Sequence, residues 1–123
     1  AILRIFATML DQFSREEMRD WSRIFAREQQ DPTPAFEVLY ERFISQILEL
    51  VSALLRAASG GQVSEQDAHT RALLLLGQVL VFVYAPAATQ RYLGWSHLGE
   101  AQKQQVLTQL KHVVYSQLPG ETW

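Results

Sequence analysis

At 123 residues the chain suffices for one domain that buries about two thirds of its unfolded surface, not two. A hydrophobic content of 48% against 20% charged residues excludes a disordered polymer. Thirteen acidic against eleven basic residues, without an Arg/Lys stripe, exclude a grip on a phosphate backbone by this chain, and zero cysteines exclude disulfides, thiolate nucleophiles and thiolate metal sites.

The pattern predicts five or six helices and no strand. The first carries Ile2, Phe6, Met9 and Leu10 at three/four spacing. It opens at Ala1 with no residue to satisfy its free N–H groups, so residues 1–123 read as a fragment of a longer protein. Ser14-Arg-Glu-Glu17 is a capping box that places a second helix from about 15 to 30, with Met18, Trp21, Ile24 and Phe25 as its apolar face. Asp31-Pro-Thr-Pro34 ends it, and Thr33 with Pro34 starts a third helix running to about Ala58 before Gly60-Gly61. The apolar set of that helix, from Phe36 through Phe43, Ile47 and Val51 to Leu55, is broad enough to imply contacts on more than one side.

Ser64-Glu-Gln-Asp67 caps the fourth helix, which carries an uncharged run from Ala72 to Gln90. A helix without a wet face lies in a membrane, in a core or against another subunit. Gly77, Gln78 and Pro86 interrupt the run and no Lys/Arg cluster flanks it, which argues against a membrane and for a cytoplasmic protein. Pro86 breaks the helix, a short one covers Ala87 to Leu93, and Gly94 stops it. The last helix, about Gly99 to Leu118, has Val106, Leu107, Leu110, Val113, Val114 and Leu118 as its stripe.

Small residues at Ala68, Ala72 and Gly77 suit close helix approach. The fourth and last helices are therefore expected to form a self-complementary dimer interface through Ala68, Ala72, Leu75, Gln78, Val79, Phe82, Val106, Leu110, Val113 and Val114. The alternative is that the fourth helix is the core helix of a monomeric bundle. Catalysis is not expected. The three histidines lack metal-pair spacing, and there is no Walker loop, dinucleotide fingerprint or nucleophile elbow, so neither cofactor nor metal is expected. The aromatics are the stronger signal. If those of several helices converge, they line an apolar pocket. Its expected members are Phe6, Met9, Trp21, Phe25, Glu28, Tyr40, Phe43, Gln78 and Phe82. Ordinary core packing is the competing account of each aromatic, and Gln78 belongs either to the pocket wall or to a dimer axis.

Arg27-Glu28-Gln-Gln-Asp31-Pro-Thr-Pro34-Ala-Phe36, followed by Tyr40-Glu-Arg-Phe43, resembles the effector-binding half of TetR-family transcriptional repressors, and most nearly the subgroup with a CerR-type C-terminal domain. Ala72-Leu-Leu-Leu-Leu-Gly77-Gln78 with Phe82, and Arg91-Tyr92-Leu-Gly94-Trp95, are similar too. The resemblance implies an all-α, TetR-like bundle over residues 1–118, with 1–13 the remainder of a connector helix and 119–123 a tail. It implies a homodimer with a four-helix interface that binds a small apolar or aromatic effector. Operator DNA would be reached only through an N-terminal domain that this chain lacks. A helical homodimerisation or protein-interaction module without a small-molecule site is the alternative.

Overall fold

The computed structural model describes residues 2–15 and 18–116, all helices and connecting turns. Helix α1, Ile2–Phe13, buries Ile2, Phe6, Met9 and Leu10, the four positions its spacing predicts. Its end is closed by Ser14, whose hydroxyl donates to the Asp11 carbonyl at 3.1 Å. Ser14 thus makes a bond within the last turn of α1. Glu17 of the expected capping box lies outside the described residues, and α2 spans Arg19–Gln30, later than expected.

Thr33 does open the next helix. Its side chain accepts the Ala35 N–H at 3.3 Å, and α3 runs Pro34–Leu39 with proline in the first turn. The long third helix of the sequence reading is interrupted by a π-helical turn, Tyr40–Ile44, in which the Ser45 N–H donates to the Tyr40 carbonyl five residues back. The Gln46 amide side chain donates to the Glu41 carbonyl at 3.3 Å, beside the Ser45 hydroxyl at 3.5 Å. Helix α4, Ser45–Ala58, continues from there and buries Val51, Ser52 and Leu55. Val38 and Leu50 stand half exposed, while α3 packs on α2 and α4 packs on the helix that follows it.

Gly60 and Gly61, at φ 66° and 80°, turn the chain back in a left-handed conformation that costs other residues about 1–2 kcal/mol each. Ser64 then accepts the Asp67 N–H at 3.1 Å and starts α5, Glu65–Tyr84. Helix α5 lies along α4 and touches α1 and α2. Ala68, Ala72, Leu75, Leu76 and Val79 are buried, while Leu74, Gln78 and Val81 face out. The uncharged run is thus divided between α5 and α6, Pro86–Leu93, which bend by 88° at Ala85; no single described helix is long and apolar enough to cross a membrane.

Gly94, at φ 74°, caps α6, and the Trp95 N–H returns to the Gln90 carbonyl at 2.9 Å. Helix α7, Glu100–Ser116, lies on α1 and buries Val106, Leu110 and Val114. The expected end at Leu118 and the tail 119–123 fall outside the described residues. Lys103 clamps α7 to α1, its ammonium 2.9 Å from the Asp11 carboxylate and 2.8 Å from Glu100. Those two carboxylates raise its pKa above the usual lysine value. The core joins α1, α4, α5 and α7 around Phe6, Leu10, Val51, Leu55, Leu75 and Val79. Helix α1 is wedged between α5 and α7.

Candidate ligand cavity and apolar groove

Beside the core, α1, α2, the π-turn and α5 enclose a cavity of about 530 Å³. Helix α1 supplies Thr8, Met9, Gln12 and Phe13, and α2 supplies Trp21, Phe25 and Gln29 at a four-residue step that keeps all three on one face. Phe43 and Ile44 come from the π-turn, between Leu39 of α3 and Ile47 of α4. Leu73, Leu76, Leu80 and Tyr84 come from α5. None of the described lining residues carries a formal charge. Trp21, Phe43 and Leu73, respectively 51%, 53% and 58% exposed, mark the open side. Phe13 and Phe25 meet edge to face at 6.1 Å. Burial pushes the Tyr84 phenol pKa up, so the hydroxyl stays protonated at neutral pH and can both donate and accept.

Four of the nine residues expected in a pocket come together here: Met9, Trp21, Phe25 and Phe43. The others do not. Phe6 is wholly buried in the core and does not line the cavity. Tyr40 is exposed and stacks on Phe36 at 6.0 Å.

Glu28 is a buried staple. Its carboxylate accepts the Thr33 hydroxyl at 2.7 Å and the Thr33 N–H at 2.8 Å, with Arg27 at 3.3 Å. The hydrogen bonds from Thr33, helped by Arg27, hold its pKa below the usual carboxylate value against the opposing effect of burial. It fixes the α2–α3 elbow, placing Trp21 and Phe25 relative to the π-turn. Its i,i+5 relation to Thr33 across Pro32 was the available signal.

Gln78 and Phe82 line a different feature, an apolar groove of about 620 Å³ between α5 and α7. Val81 stands beside them, and Gln105, Val106, Gln109, Leu110 and Val113 form the α7 side. Trp95 stacks on Phe82 at 6.2 Å and closes one end. Gln78 is exposed, so water serves it within the subunit.

Of the expected interface residues, Ala68, Ala72, Leu75 and Val79 are buried within the subunit, where α5 lies against α4 and α1. The small side chains of Ala68 and Ala72 serve close packing inside one chain. Val106, Leu110 and Val114 are buried too, in the stripe of α7 that joins the α1 core, and of these Val114 does not line the groove. Gln78, Phe82, Val106, Leu110 and Val113 remain on the groove.

Phe13, Met18, Ile44, Ile47, Leu76 and Leu80 are among the cavity residues that the aromatic signal did not reveal. Phe13 was legible as the next turn after Met9. Ile44 was not, because the π-turn shifts the helical register.

The family described as the C-terminal domain of HTH-type transcriptional dual regulator CecR matches residues 1–120. The HTH-type transcriptional dual regulator CecR of Shigella flexneri is 24% identical over 99 residues, covering 80% of this chain and 44% of that protein. The chain thus spans less than half the length of the curated relative it matches. The resemblance read from the sequence holds, with the subgroup correctly named CecR-type rather than CerR-type. The chain belongs to the TetR family as a CecR-type C-terminal domain, a regulatory unit rather than a catalytic one.

Proposed function

We propose that this domain is the effector-sensing and homodimerising half of a transcriptional regulator, with operator DNA contacted through a separate N-terminal domain. The observation that carries the reading is the position of α1. Met9, Gln12 and Phe13 line the cavity, while Ile2, Phe6 and Leu10 anchor the same helix in the core. A molecule in the cavity touches α1, α2 and α5 together, so it favours whichever disposition of α1 gives it the better contacts. That differential affinity is the coupling free energy, and a connector helix passes it to a pair of DNA heads as a change in spacing. The chemistry of the wall suits a small, largely apolar or aromatic effector. The apolar groove between α5 and α7 supports the dimer, each subunit presenting the same groove across a two-fold axis.

The neutral probe N-phenyl-1-naphthylamine, whose fluorescence rises in apolar surroundings, tests the cavity in the full chain. Trp21→Ala and Phe25→Ala should each weaken its binding several-fold without changing the sedimenting mass. Equal binding by both variants and the parent chain would remove the cavity from the account and leave a helical dimerisation module.

A further inference from the structure

Along α5 the wall of the apolar cavity is a single stripe: Leu73, Leu76, Leu80 and Tyr84 keep a three/four spacing, so three leucines end in a phenol. Tyr84 is the last residue of α5 and half-buried, and it also lines a second cavity of about 560 Å³, so it stands where the two meet. No described residue hydrogen-bonds to its hydroxyl. Nor is the hydroxyl sealed off, because among the described residues no buried side-chain N or O lacks a partner. The other polar residues of the wall, Thr8, Gln12 and Gln29, are exposed, and the Thr8 hydroxyl already donates to the Arg4 carbonyl at 2.9 Å. Among the described polar side chains of this wall, Tyr84 alone is partly withdrawn from solvent and still unpartnered.

Resting on the reading of this cavity as the effector site, we propose that Tyr84 orients the effector, an uncharged molecule with an apolar body and one hydrogen-bond acceptor such as a carbonyl. The phenol stays protonated at neutral pH, so it can donate to that acceptor. A purely apolar body covering the hydroxyl would strip its water and return nothing, whereas an acceptor on the body replaces the lost bond. Charge is disfavoured for a related reason. None of the described lining residues is charged, so an ionic ligand would give up hydration without gaining a counter-charge. The cavity also sets the size of the body: at the roughly 30 Å³ that a water occupies in the liquid, it takes roughly 15–20 non-hydrogen atoms.

Three probes of one shape test this by equilibrium dialysis of the full chain at neutral pH: 2-acetylnaphthalene, 2-isopropenylnaphthalene and 2-naphthoate. The first offers a carbonyl oxygen where the second has a methylene group, and the third carries a carboxylate there. Tyr84→Phe should weaken 2-acetylnaphthalene about two- to tenfold, the scale of one net hydrogen bond, and should not weaken 2-isopropenylnaphthalene. The urea midpoint of the variant should equal the parent's, since the hydroxyl bonds nothing within the protein. The parent should bind 2-naphthoate more weakly than the ketone. Equal effects of Tyr84→Phe on ketone and hydrocarbon, or a lowered urea midpoint, would overturn the orienting role of Tyr84 while leaving the cavity reading in place. Naphthoate bound as tightly as the ketone would overturn the assignment of an uncharged effector. Binding of none of the three probes by the parent would overturn the cavity reading and the assignment with it.

Discussion

Phe6 and Phe25 carry the same side chain and look alike in the sequence, yet the structure gives them opposite duties. Phe6 is 0% exposed and surrounded by the core of α1, α4, α5 and α7. Truncating it to alanine loses about 2–3 kcal/mol of transfer free energy and leaves a void that the wedge of α1 cannot close, for a total of about 3–5 kcal/mol. Phe25 is only partly buried and already faces an open cavity, so its truncation enlarges a space rather than creating one. The cost there is about 1 kcal/mol of burial plus about 0.5–1.5 kcal/mol for the edge-to-face contact with Phe13. Urea unfolding of the two variants at equal protein concentration measures the difference through the midpoint, provided the slope is unchanged. Phe6→Ala should be the less stable by about 2 kcal/mol, and only Phe25→Ala should weaken an apolar probe more than its stability loss explains. Equal destabilisation, or a probe defect confined to Phe6→Ala, would refute the assignment of the two phenylalanines to core and wall.

Two other outcomes test the elbow and the groove. The Glu28 carboxyl titrates below its ordinary value of 4.5 in the folded chain, so its contribution to stability is fully present above that pH and is lost as pH falls through the folded-state value. Between about pH 6 and about pH 3 the urea midpoint of the parent should therefore fall more steeply than that of Glu28→Gln, and parallel slopes would refute the staple. Val81→Arg places a charge on the exposed groove face of α5; sedimentation should show the mass halved with helicity intact, and an unchanged mass would exclude the groove as the dimer surface.

Periodicity carried most of the helices because their buried faces keep a 3.6-residue step: the core positions of α1 and α7 coincide with the stripes expected of them. It failed where backbone geometry departs from that step. Nothing in Tyr40-Glu-Arg-Phe-Ile44 announces a π-turn, so Ile44 and Ile47 were invisible as cavity residues. Buried small residues were misleading for another reason. Ala68 and Ala72 signal close approach of a helix, and the partner is α4 of the same chain. Composition cannot say which helix approaches. Glu28 was placed in the pocket because a carboxylate among aromatics attracts attention. Its two bonds to Thr33 depend on the elbow, which only three dimensions reveal.

The π-turn has an evolutionary corollary. Its hydrogen bonds enclose one residue more than an α-turn, so losing a single residue between Tyr40 and Ile44 would restore an unbroken α-helix. The core segment of α4, with Val51 and Leu55, could keep its seat on α5, while each side chain on the N-terminal side of the deletion would turn by about 100° about the helix axis. Leu39 and its neighbours would then face elsewhere, and the cavity would acquire a different wall. One deletion at this point can reshape the cavity wall while leaving the core untouched, a form of variation that substitution tables do not count.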